Sequence, residues 1–179
     1  MRADEELARF ERAILPHLDA AYNLARWLTC NDHDAEDVVQ EACLRAHQFF
    51  DRFRGGDGRA WLLAIVRNTC YTWLERNRPR QPVTPFDEEK HSAADPSASP
   101  PSLAVRSEDR QRRRQALEGL PPESRELLVL REFEGFSYKD IAGIAGIPLG
   151  TVMSRLARAR ERLQQALTGH ARKEPQREL

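Results

Sequence analysis

Between Ser137 and Leu163 the chain places a short apolar segment, a glycine-proline turn and then a run carrying Arg155, Arg158, Arg160 and Arg162. These residue types at this spacing suit recognition of nucleic acid, because a guanidinium donates in a plane to guanine edges and to phosphates, both of which accept in bidentate geometry. Ser137 and Asp140 together can cap a helix, hydroxyl to free backbone N–H and carboxylate to the positive helix end. Ile141, Ala142, Ile144 and Ala145 give that helix a small apolar face, and Gly146-Ile147-Pro148 predicts its end. A second helix then opens at Gly150-Thr151. Val152, Leu156, Ala159 and Leu163 share one side of it, which leaves Thr151, Ser154, Arg155, Arg158 and Arg162 pointing outward. This is the pattern of a helix-turn-helix that lays its second helix in a DNA groove. A helical hairpin with a solvated basic face is the plainer alternative, and the turn chemistry argues against it.

Other chemistry is weakly supported. Cys30 and His33, with Cys43 and His47, have the types of a zinc-ligand set, but Cys43 lies in an apolar neighbourhood of Val39, Ala46 and Phe50, where a packed thiol is the simpler reading. There is no phosphate-binding glycine loop, and neither paired carboxylates nor a Ser/His/Asp order suggests an active site. The expectation is a protein that is not an enzyme and needs no cofactor.

Formal charge sums to zero, with 28 basic and 28 acidic residues, which looks wrong for a nucleic-acid binder until it is divided along the chain. Residues 31–50 hold five acids (Asp32, Asp34, Glu36, Asp37, Glu41) against Arg45. Residues 51–80 hold seven arginines against three acids, and residues 137–179 hold eight bases against four acids. Alternating basic and acidic blocks fit a molecule with some faces for phosphate and others for protein. No run approaches the roughly 18 apolar residues of a membrane span, and the charged amino terminus does not read as a signal peptide. Three cysteines, an odd number, do not suggest a disulfide framework. A cytoplasmic protein with reduced thiols is expected, with no direct membrane insertion.

The elements that must position these residues are helices. Phe10, Ala13, Ile14, Leu18, Ala21, Tyr22, Ala25 and Leu28 recur at helical spacing, as do Ala35, Val38, Val39, Ala42, Ala46, Phe49 and Phe50. A third helix is predicted from about Arg59 to Arg76, with Leu62, Ile65, Val66, Thr69 and Trp73 buried and Ala64, Arg67, Asn68, Tyr71 and Glu75 sharing the other side. Further helices are expected over 108–118 and 122–134, the latter entered through Pro121-Pro122. No segment alternates with period two, so the fold class is all-α, as two small helical domains. Residues 78–107, rich in proline and poor in apolar residues, read as a mildly acidic flexible linker between them.

With these segments laid out, the chain resembles the extracytoplasmic-function (ECF) group of bacterial RNA polymerase sigma factors in the sigma-70 family. The resemblance rests on Asp34-Ala-Glu-Asp-Val-Val-Gln-Glu41, on Arg59-Ala-Trp-Leu-Leu-Ala-Ile-Val-Arg-Asn68 after a glycine-rich loop, and on Leu120-Pro-Pro-Glu-Ser-Arg-Glu-Leu-Leu-Val-Leu-Arg131. Gly135-Phe-Ser-Tyr-Lys-Asp-Ile-Ala142, leading to Gly150-Thr-Val-Met-Ser-Arg155, completes it. It covers nearly the whole chain and implies a division into region two over 8–77, a linker over 78–107, region four over 108–168 and a disordered tail over 169–179.

The resemblance implies roles residue by residue. Asp34, Glu36, Asp37, Gln40 and Glu41 would dock on core RNA polymerase, at the clamp helices of the β′ subunit, with the β flap as a second contact. Charge runs of this kind are otherwise usually solvated faces. The helix from Arg59 would read and melt the promoter −10 element. Trp61, Arg67, Asn68, Tyr71 and Arg76 would supply the polar pocket, apolar wall and cations that capture of an unstacked base requires. Asn68 matches the family position lining that pocket, although an ordinary surface role is open to it, and Trp61 and Trp73 can equally be core aromatics. Thr151, Ser154, Arg155, Arg158, Arg160 and Arg162 would meet the −35 element, Ser154 and Arg158 at base edges and Arg155, Arg160 and Arg162 at phosphates. Met153 departs from the pattern, standing where many relatives carry arginine. The linker would run through the polymerase cleft. The partners implied are core polymerase, promoter DNA and an anti-sigma factor that masks both modules. The rival reading is a stand-alone helix-turn-helix transcriptional regulator, for which the sequence offers no sustained heptad or spare dimer face.

Overall fold

The computed structural model describes residues 2–77 and 101–171, and every regular element among them is helical. The amino-terminal module comprises α1 (Arg2–Ile14), α2 (Leu18–Thr29), α3 (Asp32–Gln48) and α4 (Gly58–Arg76). The carboxy-terminal module comprises α5 (Pro101–Glu118), α6 (Pro122–Leu128), α7 (Tyr138–Ala145) and α8 (Leu149–Ala171).

The stretch from Phe10 to Leu28, expected from its spacing as one helix, is two. A 3-10 turn over Leu15–His17 separates them with Pro16 inside it, because proline lacks the N–H and its ring clashes with the preceding turn. The periodicity survives the break because both helices turn their apolar side to one core. Phe10, Ile14, Ala21, Leu24, Ala25 and Leu28 are buried there with Ala35, Val38, Ala42 and Ala46 of α3 and Leu62, Leu63, Val66 and Cys70 of α4. Of the expected stripe on α4, Leu62, Val66 and Thr69 are buried, whereas Ile65 and Trp73 are half-buried.

Local chemistry sets the helix ends. The Asn31 side chain accepts from the Asp34 backbone N–H at 3.0 Å to start α3, and Asp57 accepts from the N–H groups of Arg59 and Ala60 at 2.9 and 3.1 Å to start α4. Cys30 closes α2 in the left-handed region at φ 57°. Ser137 caps α7, accepting from Asp140 N–H at 3.1 Å and donating to its carboxylate at 2.6 Å. Gly146 ends α7 at φ 66°, the left-handed position that glycine takes without a Cβ penalty.

Three differences from expectation concern the carboxy-terminal half. α5 begins at Pro101 instead of 108, with proline at the first helical position, where its missing N–H would have had no partner. The remainder of the expected linker, residues 78–100, lies outside the described residues. The helix expected over 122–134 is α-helical only to Leu128 and continues through Val129–Phe133 as a π-helical turn. α8 continues to Ala171, past the point where a tail was expected, and residues 172–179 lie outside the described part.

Candidate nucleic-acid and polymerase interface

The helix-turn-helix is α7 and α8. Val152, Leu156 and Ala159 of α8 are buried against Ile141 and Ile144 of α7 and the α6 segment, with Leu163 half-buried below them. At about 100° per residue, Ser154 and Arg158 stand opposite that buried stripe, and Thr151, Arg155 and Arg162 flank them. Ser154, Arg158 and Arg162 are exposed, while Thr151 and Arg155 are half-buried. Arg160 lies on the far flank. Its guanidinium pairs with Glu132 at 2.6 Å and reaches the Tyr138 hydroxyl at 3.5 Å, and these contacts raise its pKa and lower that of Tyr138. Arg160 is thereby turned toward its own module and away from Thr151. Met153, exposed, is on the same flank as Arg160.

α3 presents the acidic residues. Ala35, Val38, Ala42 and Ala46 hold its inner side, so Glu36, Asp37 and Gln40 are exposed, with Asp34 and Glu41 half-buried at the edge. Glu41 pairs with Arg45 one turn along. The sequence reading passed over Leu44, which is 73% exposed in the same outward sector as Asp37 and Gln40. A large apolar side chain inside an otherwise polar patch is a common anchor of protein interfaces. The available signal was the leucine's failure to join the buried periodicity of its helix.

α4 carries the residues expected at the −10 element. Trp61 is half-buried and packs on Phe50 and Phe53, ring centroids 6.2 and 5.2 Å away. Asn68 and Arg76 are exposed, and Arg67 lies against both Asn68, to whose amide oxygen it donates at 3.3 Å, and the Tyr71 ring, 4.6 Å from its centroid. The structure thus brings Arg67, Asn68 and Tyr71 together, with Trp61 and Arg76 further along the helix.

Sequence reasoning did not anticipate that this side of α4 is covered by the carboxy-terminal module. Arg67 donates Nε and Nη2 to Glu126 of α6, at 2.8 and 3.2 Å. Glu126 is completely buried. Burial drives its pKa up against the pull of Arg67. The Tyr71 hydroxyl is buried beside this carboxylate and makes no hydrogen bond of standard geometry. Desolvation first, and Glu126 second, push its ionisation well above the usual phenol range.

The four residues weighed as zinc ligands do not converge. Cys30 contacts the Arg125 guanidinium, Cys43 is half-buried, and His47 packs edge-on against Phe10 at 5.2 Å. Among the described residues no group of three or more His, Cys, Asp or Glu side chains could hold a metal. Nor is any helix of the described residues long and apolar enough to cross a membrane.

Comparison with known proteins places these modules. The family model for Sigma-70 region 2 matches residues 13–80, and that for Sigma-70, region 4 matches residues 110–163. The chain is 39% identical over 142 residues to RNA polymerase sigma-H factor of Pseudomonas aeruginosa, covering 75% of this chain and 73% of that protein. It is 38% identical over 135 residues to the ECF RNA polymerase sigma-E factor of Escherichia coli, covering 72% and 71%. It is also 34% identical to ECF RNA polymerase sigma factor SigE of Mycolicibacterium smegmatis over 90% of its own length, spanning 63% of that relative. Among solved structures, the sigma factor RpoE of Bartonella quintana in complex with the anti-sigma factor NepR matches with TM-score 0.70 and 32% identity, over 89% of this chain and 97% of that one. CnrH in complex with the cytosolic domain of CnrY matches with TM-score 0.62 and 26% identity, over 89% and 88%. With both sigma-70 regions matched in order and relatives this similar covered over more than two thirds of their length, the chain belongs to the ECF group of sigma-70-family RNA polymerase sigma factors, the promoter-recognition subunits of transcription initiation.

Proposed function

We propose that this sigma factor joins core RNA polymerase through the outer face of α3 and reads a promoter with α4 at the −10 element and α8 at the −35 element. Residues 8–77 serve as the first module and 108–168, lengthened by α5 and α8 to 101–171, as the second, with the residues between the two modules as the tether. The observation that carries the reading is the separation of charge by element: an exposed acidic sector bordered by Leu44 at its carboxy-terminal end on α3, and an exposed Ser154, Arg158 and Arg162 sector on α8. An acidic patch with one apolar anchor suits the basic clamp helices of β′, where rim charges steer encounter and the buried leucine holds the complex. The cationic sector suits the major groove, Ser154 and Arg158 at base edges and Thr151, Arg155 and Arg162 toward the backbone. The β flap is the second contact of core polymerase, made by the carboxy-terminal module.

On α4, exposed Asn68 and Arg76 are positioned to meet an unstacked base and its backbone, with the Trp61 ring as part of the wall. Arg67 and Tyr71 join them once freed from Glu126. An anti-sigma factor is the expected inhibitor, since one of the structural relatives, RpoE, is a sigma factor captured with the anti-sigma factor NepR. A gel-shift assay on a target promoter with and without core polymerase tests the proposal. Retardation that requires polymerase is expected, whereas tight binding of the isolated protein to a palindromic site would mark a stand-alone regulator.

A further inference from the structure

The amino-terminal half of α8 carries an apolar row that neither the core nor the charged sector uses. Leu149 and Met153 are 48% and 52% exposed, and Ala157, one turn further on, is exposed as well. The three fall at i, i+4 and i+8, so they share one edge of the helix and drift by about 40° per step toward the sector of Ser154 and Arg158. Ala157 ends about 60° from Ser154 around the axis. A single exposed apolar side chain needs no explanation, but a continuous row beside a reading face does. Gly150 lies between Met153 and Ser154 around the axis, where a Cβ would meet nothing within 4 Å, so nothing bulky separates the row from a surface laid against Ser154. Arg160, about two turns past Met153 on this flank, is held by Glu132 and stays clear of this end.

In the major groove the one apolar group on a base edge is the thymine 5-methyl, the other features being hydrogen-bond donors and acceptors. A helix-turn-helix meets base edges with the amino-terminal residues of its second helix, which is where the row lies. The methionine side chain is unbranched and polarisable, so it can reach and adapt to such a methyl, and alanine is among the residue types that pack on it. A protein covering the row would also have to cover Ser154 and Arg158 beside it, the residues that the duplex takes. Resting on the assignment of α8 to the −35 element above, we infer that Met153, flanked by Leu149 and Ala157, makes this sigma factor specific for a thymine methyl in that element, beside the base pair met by Ser154. Met153 offers no N–H or O–H, so it discriminates against every base pair that lacks a methyl at that edge. Ser154 and Arg158 set the polar part of the recognised sequence and the row sets the apolar part.

The test starts by selecting −35 sequences from a randomised promoter pool with core RNA polymerase reconstituted with this chain. Each selected thymine is then replaced by deoxyuridine, which deletes the methyl and keeps the pairing. Binding of the fluorescein-labelled promoters is read by anisotropy at fixed salt for the parent and for Met153→Ala, whose exposed position leaves the core of α8 intact. Deoxyuridine at one or more −35 positions should weaken the parent about fourfold at each, the worth of one buried methyl. The same replacement should leave Met153→Ala almost unaffected, because groups in contact are not additive. Equal binding of thymine and deoxyuridine promoters by the parent overturns the inference. So does selection of a −35 element without thymine, or a deoxyuridine penalty that is the same in Met153→Ala. Failure of the −35 assignment itself reads differently: no shared −35 sequence is selected and Arg158→Ala binds like the parent, which removes the inference with it.

Discussion

Arg158 and Arg160 are two residues apart and have the same side chain, yet they should behave oppositely. Arg158 points away from the buried stripe of α8, while Arg160 is paired with Glu132 and touches Tyr138. Arg158→Ala should weaken holoenzyme binding to a −35-containing promoter by an amount worth about 1–3 kcal/mol, the usual worth of a bidentate base contact. Arg160→Ala should leave that binding nearly unchanged and cost only the roughly 0–1 kcal/mol of a surface ion pair. Filter binding and thermal unfolding of the two variants separate these outcomes. The sequence could place Arg158 because helical spacing against Val152 and Leu156 fixes its direction. It assigned Arg160 to phosphate because the composition of the segment was basic, and the Glu132 partner is invisible without the turn of α7 between them. Glu126 was illegible for the same reason, since its partner Arg67 lies 59 residues away and across the interval that reads as a linker.

Helix α4 is where packing, acid-base behaviour and function meet. Its first residue, Gly58, lies so close to α1 that a Cβ there would overlap the Ala13 carbonyl oxygen. Gly58→Ala should therefore destabilise the protein by about 1–3 kcal/mol despite alanine's better helix propensity, as overpacking does. Further along, burial raises the Cys70 thiol from 9.0 to about 12, so the neutral form is the one the core accommodates. Below pH 9 both folded and unfolded thiols keep their proton and this contribution is intact. As pH rises toward 12 the unfolded thiol ionises first and the contribution is lost. Melting temperature should accordingly fall across that window, less steeply in Cys70→Ala, with Tyr71 adding to the same loss in both proteins. On α3, Glu36→Lys/Asp37→Lys should weaken association with core polymerase without changing helicity, and Leu44→Ala should weaken it further, as read by native gel comigration. The existence of α3, α4, α7 and α8 was legible from periodicity, with Ser137 marking the start of α7, whereas the caps at Asn31 and Asp57 emerged only in the structure. The break at Pro16 and the π-helical turn after Leu128 were not, because an apolar spacing can persist across a local change of helix geometry.

The modules together make a sigma factor whose surfaces are not equally available. The sequence showed the two helical units and their order, and motif resemblance supplied the family. It gave no sign that region four would fold back on α4, because such docking depends on the partnering of Arg59 and Arg67 with Glu134 and Glu126 rather than on any local pattern. Promoter choice by polymerase is the property that defines such a molecule. Core RNA polymerase should be reconstituted with this chain as its sole sigma factor, supplied with genomic DNA, and its transcript starts mapped alongside those of core enzyme alone. New starts at a restricted set of sites, each preceded by shared −10 and −35 sequences and lost with Glu36→Lys/Asp37→Lys, are the predicted result. Start sites indistinguishable from those of core enzyme alone would contradict it.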